Sequence, residues 1–162
     1  MEYFVTSIKE ITSKRRAVYV DYEHVFALYA GELRKFGIKE QSYISEDVYD
    51  EIMTVLSKRA VIRGMNLLKN KDYTRAEFIK KLKDGYYPDK AVDAALEYID
   101  RYGYIDDDRY ARNYVAFKAP VKSRRIIEQK LKEKGVSADI IACVCDCLLY
   151  TSPSPRDSTS SR

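Results

Sequence analysis

Tryptophan is absent from this chain of 162 residues, histidine occurs once and cysteine three times. The lone histidine, His24, follows Asp21-Tyr22-Glu23, which reads as a turn between two strands. The sequence contains neither G-x-x-x-x-G-K-[ST] nor G-x-G-x-x-G, and no metal-ligand spacing. The case for an enzyme is therefore weak, and no catalytic residue is assigned. No apolar run approaches the roughly 20 residues of a membrane span. The start, MEYFVTSIKEI, lacks the basic opening and long apolar core of a secretory signal. The expected compartment is the cytoplasm, with no membrane contact. Cys143, Cys145 and Cys147 spell C-x-C-x-C. Alternate helical residues diverge by about 200°, so these three cannot face one ion. Cys143 and Cys145 read as small buried or half-buried thiols of a cytosolic protein, and Cys147 as part of a non-native tail. No metal and no other cofactor is expected.

What is present points to a helical repeat. Charged residues make up 33% and apolar residues 46% of the chain, a soluble and foldable balance. Placing residue 74 against residue 123 aligns TRAEFIKKLKDGYYPDKAV with SRRIIEQKLKEKGVSADII at a constant offset of 49, without a gap. Arg75 meets Arg124, Phe78 meets Ile127, Leu82 meets Leu131 and Val92 meets Ile141. A fixed period of this size implies stacked units, each too small to bury a core alone. Helical spacing of apolar residues predicts helices near 58–70 (Val61, Ile62, Met65, Leu68), 75–83 (Phe78, Ile79, Leu82) and 89–102 (Val92, Ala95, Leu96, Ile99). Thr74 and Glu77 have capping-box spacing. The second unit predicts helices near 107–118, 123–134 and 138–146, separated by Pro120 and Gly135.

The N-terminal part differs. Residues 3–11 and 16–29 are rich in Val, Ile, Tyr and Phe, with strands expected at 16–20 and 25–29. A short helix is expected around 30–36, ending at Gly37, and Ser45-Glu46-Asp47 opens a lead-in helix. The fold expected is mainly α: tandem three-helix repeats with a small N-terminal β-hairpin extension. The extension covers 1–44, the first repeat with its lead-in helix 45–102, and the second repeat 103–146.

Three consecutive carboxylates, Asp106, Asp107 and Asp108, raise the question of a metal or acid–base site. They precede the stripe Tyr110, Ala111, Tyr114, Val115. Asp106 is placed as an N-cap, and Asp107 and Asp108 fall in a first turn where the helix dipole favours negative charge. Successive helical residues diverge by about 100°, so the three do not converge on an ion. Tyr104-Ile105 is expected to pack as a hydrophobic staple.

A formal net charge of +4 is too small by itself to indicate nucleic acid. Its distribution is more telling, because basic residues concentrate in equivalent places of the two repeats, 69–83 and 117–134. Candidate contact residues are Arg75, Lys80, Lys83, Arg112, Lys118, Lys122, Arg124, Arg125 and Lys132. Stacking of the repeats would join them into a stripe suited to a polyanion or to the acidic wall of a protein groove. A merely solvated helix face is the competing reading. The fifteen tyrosines offer stacking surfaces for bases, but Tyr98, Tyr102, Tyr104, Tyr110 and Tyr114 lie at or beside core-type positions, where packing is their expected role.

The segments GYIDDDRYARNYV and SRRIIEQKLKEKGV, in this order within two three-helix repeats, resemble the RecX family of bacterial recombinase regulators. The hairpin AVYVDYEHVFALYAGELRKFGI is similar to an N-terminal extension found in some members. The resemblance spans about residues 10–146. It implies a non-enzymatic protein that binds the RecA recombinase in the groove of its filament on single-stranded DNA. The implied consequence is restraint of strand exchange, ATP hydrolysis and SOS induction, by a protein that is a monomer at full length. The alternative is a stand-alone helical DNA-binding module such as a transcriptional regulator. Three positions depart from the family pattern. Tyr86 stands where a glycine closes the second helix, with Gly85 one place early; Tyr22 takes a turn position where glycine is common; Ser123 precedes the arginine pair where a glycine is frequent. The family usually has three repeats, and the third is not found here. The final residues, CLLYTSPSPRDSTSSR, lose the helical period after Leu149, and their first part is similar to the translation of a transposase-type sequencing adapter. Residues 147–162 are therefore expected to be non-native, with a third repeat expected beyond Asp146 in the natural gene.

Overall fold

The computed structural model describes residues 1–150, at Tyr150 the backbone only. Most of the stretch expected to be non-native, 151–162, lies outside the described residues.

The N-terminal extension is a four-stranded antiparallel sheet. Its strands are β1 (Glu2–Glu10), β2 (Arg15–Val20), β3 (His24–Tyr29) and β4 (Ser42–Ser45), in the order β3-β2-β1-β4. The expected hairpin is β2–β3, and β1 and β4 extend it on one side. β4 was not expected: four residues, SYIS, with only Ile44 buried, carry too short an alternation to announce a strand. The β2–β3 turn places Asp21 at φ 51° and Tyr22 at φ 65°. Side chains rarely accept this left-handed backbone. β1 holds it in place: Phe4 donates its N–H to the Asp21 carboxylate (3.1 Å), Asp21 donates to the Phe4 carbonyl (2.8 Å) and Tyr22 donates to Thr6 Oγ1 (3.0 Å).

Helix α1 (Ala30–Phe36) ends at Gly37, φ 68°. Then α2 (Glu46–Asn70) runs unbroken for 25 residues, merging the lead-in helix with the first helix of the repeat. Its buried face is Ile52, Met53, Leu56, Ala60, Gly64 and Leu67. This corrects the expected stripe, since Ile62 is 63% exposed. The reason is size: Ala60 and Gly64 carry little apolar signal, yet their smallness brings α2 close to α4 (Asp89–Tyr102), where Ala91 and Ala95 are fully buried. The α4 stripe of Val92, Ala95, Leu96 and Ile99 is buried throughout. Tyr49 of α2 stacks on Tyr3 of the sheet with ring centroids 3.9 Å apart. The tyrosines divide: Tyr110 and Tyr114 are half-buried, whereas Tyr102 and Tyr104 are exposed.

The remaining helices are α3 (Arg75–Asp84), α5 (Asp107–Lys118), α6 (Arg124–Glu133) and α7 (Ala138–Tyr150). By contacts the chain forms two compact units. The first is Met1–Asn70 with Ile79–Tyr102; the second is Lys71–Phe78 with the chain from Gly103 onward. The boundary passes through α3. The first unit holds the sheet, α1, α2, the later part of α3 and α4. The second holds the start of α3 with α5, α6 and α7, around a core of Ala111, Val115, Ile127, Leu131, Val136, Ile141, Val144 and Cys145. Cys145 is buried, which pushes its thiol pKa up, while Cys143 and Cys147 are exposed.

Candidate functional site

The three aspartates do three different things. Asp106 is the N-cap of α5, its Oδ1 accepting from the Arg109 N–H at 3.1 Å. Asp107 accepts from the Arg75 N–H at 2.8 Å, so it caps the start of α3 from another element. Asp108 pairs with Arg112 one turn along α5 at 2.5 Å. Sequence alone assigned Asp107 only to its own helix, because the 32-residue separation from Arg75 leaves no local signal. Among the described residues no group of three or more His, Cys, Asp or Glu is placed to hold a metal ion.

The basic candidates separate by their partners. In the first unit, Lys80 pairs with Asp84 (3.1 Å) and Lys83 with Asp89 (3.4 Å), both exposed pairs of small energy. In the second, Arg112 is held by Asp108. Arg124 is held twice, by Glu128 at 3.2 Å and by Asp146. The Arg75 side chain is exposed at the start of α3. Lys118 lies over the rings of Phe117 (5.1 Å) and Tyr114 (6.0 Å). Lys122, Arg125 and Lys132 are exposed and meet no carboxylate among the described residues. Arg125 and Lys132 are seven residues apart and share one face of α6, opposite buried Ile127 and Leu131.

These free cations stand among apolar side chains that fold burial has not claimed. The chain turns from α5 to α6 through Val121 and Lys122, whose N–H groups both donate to the Lys118 carbonyl (3.0 and 2.9 Å). Around this corner Phe117 is 75%, Val121 71% and Ile126 43% exposed. Exposed apolar side chains alternating along the chain with cations that meet no carboxylate among the described residues suit docking to an anionic partner. Composition located the cations. The exposed apolar group escaped notice because Phe117 and Ile126 sit on helices whose other faces are buried.

Lys134 was not among the candidates. Its ammonium lies 3.5 Å from Glu77 and over the rings of Tyr110 and Tyr114, and its carbonyl accepts from Thr74 Oγ1 at 2.5 Å. It ties the start of α3 to the end of α6.

Residues 106–144, covering α5, α6 and most of α7, match the family model of the second three-helix domain of RecX. The chain is similar to the RecX proteins. The regulatory protein RecX of Caldanaerobacter subterraneus subsp. tengcongensis is 29% identical over 143 residues, which cover 87% of this chain and 73% of that protein. The regulatory protein RecX of Clostridium perfringens (strain 13) is 30% identical over 129 residues, covering 76% of this chain and 59% of that protein. The chain thus spans between about three fifths and three quarters of the length of these curated relatives. A solved regulatory protein RecX superposes with a TM-score of 0.57 over 97% of this chain and 89% of the other, at 20% identity. RecX from Lactobacillus salivarius gives 0.56 over 67% of this chain and 83% of the other, at 17% identity. These two likenesses concern the fold: RecX-like three-helix repeats with a small antiparallel sheet at the N-terminus. The free cations Lys122, Arg125 and Lys132 all lie within the matched RecX-like domain. Among the described residues no helix is long and apolar enough to cross a membrane.

Proposed function

We propose that this chain is a regulatory, non-enzymatic protein that binds the RecA recombinase filament on single-stranded DNA and restrains its strand exchange, ATP hydrolysis and SOS-inducing activity. It acts in the cytoplasm, where that filament forms. The observation that carries the reading is the match of residues 106–144 to the second three-helix domain of RecX. The α5–α6 corner supports it physically. Lys118, Lys122, Arg125 and Lys132 supply positive charge to the phosphates or carboxylates of the filament. Phe117, Val121 and Ile126 supply apolar area to its protein wall. Among the nine basic candidates, the doubly paired Arg124 contributes least, because Glu128 and Asp146 already occupy its guanidinium.

The test is binding at matched salt to a preformed RecA filament, to bare single-stranded DNA and to duplex DNA of varied sequence. The filament is expected to bind most tightly, without sequence preference. Sequence-selective binding to bare duplex, with no gain from the filament, would overturn the proposal in favour of a stand-alone DNA-binding module.

A further inference from the structure

The first unit contains a cavity of about 350 Å³ that the α5–α6 corner does not use. It is bounded by β2, β3, α2 and the end of α3, all within that unit. Four cationic side chains line it: Arg15, Arg59, Arg63 and Lys81. The lining carboxylate, Asp84, is engaged by Lys80. Two of the cations are fixed. Arg15 donates to the Gly85 carbonyl at 3.0 Å. Arg59 forks onto Glu32 at 2.7 and 3.2 Å and lies 5.0 Å from the centre of the Tyr29 ring. Arg63 and Lys81 meet no carboxylate among the described residues.

Three tyrosines complete the lining: Tyr29, Tyr86 and Tyr87. Tyr86 is the unusual one. It occupies the left-handed turn after α3 at φ 66°, a conformation that a bulky side chain rarely adopts. Residues held in such conformations cluster at ligand clamps and active sites. Burial pushes the Tyr87 phenol up, against the pull of Arg59 and Arg15, so it stays a neutral hydrogen-bond donor.

We infer that this cavity is a nucleotide site, taking one phosphate on Arg63 and Lys81 and one base against the tyrosine wall of Tyr86 and Tyr87. Cations and aromatic rings lining one cavity are what a nucleoside phosphate needs, since every base has a stacking face. The volume lies at the low end of small-molecule sites, roughly 300–1,000 Å³, and admits one nucleotide rather than several. The nucleotide comes either free or as one residue of a single strand; the chemistry is the same. The site lies wholly in the first unit, outside residues 106–144 that carry the proposed function, and its test needs no recombinase.

Calorimetric titration of the whole chain with 5′-dAMP tests the inference, with a short oligothymidylate and inorganic pyrophosphate as parallel probes. Saturable binding is expected, weakened about tenfold or more in Arg63→Glu/Lys81→Glu and in Tyr86→Gly. Tyr86→Gly suits the left-handed turn and should fold. Nuclear magnetic resonance of the parent should independently show amide shifts at Gly85 and Tyr87 on adding dAMP. Tight dAMP binding assigns the free nucleotide. Weak dAMP binding beside tight oligothymidylate binding, lost in the same variants, assigns a residue of a strand. Either supports the site. Absence of both, binding indifferent to these substitutions, or pyrophosphate binding as tightly as dAMP would overturn it.

Discussion

At the C-terminal end of α3 the left-handed residue is Tyr86; forty-nine positions later, at the end of α6, it is Gly135. The hydrogen bonds are the same. Tyr87 and Tyr86 donate to the carbonyls of Leu82 (3.2 Å) and Lys83 (3.0 Å), and Val136 and Gly135 donate to those of Leu131 (3.1 Å) and Lys132 (3.0 Å). This is the Schellman closure, which satisfies carbonyls that a helix end otherwise leaves bare. What differs is the surroundings. A Cβ on Gly135 would come within 2.3 Å of the Ala76 Cβ, so backbone and crowding both demand glycine there. Tyr86 faces a cavity, so only the backbone objects, at roughly 1–2 kcal/mol. The lesson is that a turn of one shape tolerates a side chain where space lies beyond it.

The two helix starts differ in the same way. Thr74 and Glu77 close a reciprocal capping box, each bond 3.1 Å, and the buried Thr74 hydroxyl also donates to the Lys134 carbonyl. At α6, Ser123 makes one bond of 3.4 Å to the Ile126 N–H, and an exposed isoleucine stands where α3 has its glutamate. One start is pinned inside the second unit. The other is lightly capped and surrounded by free cations and exposed apolar side chains, the region proposed to meet a partner.

Substitutions at these paired sites sharpen the contrast. The largest effect is expected for Gly135→Ala, which combines left-handed strain with overpacking against Ala76, about 2–4 kcal/mol in chemical denaturation. A loss below about 1 kcal/mol would mean that the α3 start does not press on this turn. Next comes Thr74→Ala, about 2–3 kcal/mol, for a lost cap and a lost buried hydrogen bond. Ser123→Ala should cost only about 0.5–1 kcal/mol. Equal costs would erase the distinction between a pinned and a free helix start. The smallest effect belongs to Tyr86→Gly, a change of about 1 kcal/mol or less, on the stabilising side because strain is relieved. Marked destabilisation would show that the Tyr86 ring is held by packing rather than kept for a ligand.

Much of this was legible in the sequence, for physical reasons. The constant 49-residue offset located both three-helix sets, and the Val92–Ile99 stripe identified the α4 core because large residues mark a helix face unambiguously. The buried face of α2 was misread because Ala60 and Gly64 pack through being small. β4 was missed because a four-residue edge strand has almost no period. The cations of the second repeat could be named from composition, but their freedom could not. The Arg124–Glu128 pair is local, whereas Asp146 reaches Arg124 from 22 residues away. The cavity of the first unit was invisible, since Arg15, Arg59 and Lys81 lie on three elements that only the fold brings together.

The most direct measurement of the central proposal is ATP hydrolysis by RecA on single-stranded DNA, with increasing amounts of this chain or of Lys122→Glu/Arg125→Glu/Lys132→Glu. These three side chains are exposed and meet no carboxylate among the described residues, so the variant should keep its helicity by circular dichroism. The parent is expected to lower hydrolysis and the folded triple variant to do so far less, while Arg124→Glu behaves nearly as the parent. A parent without effect on hydrolysis, or a triple variant that inhibits as well as the parent, would contradict it.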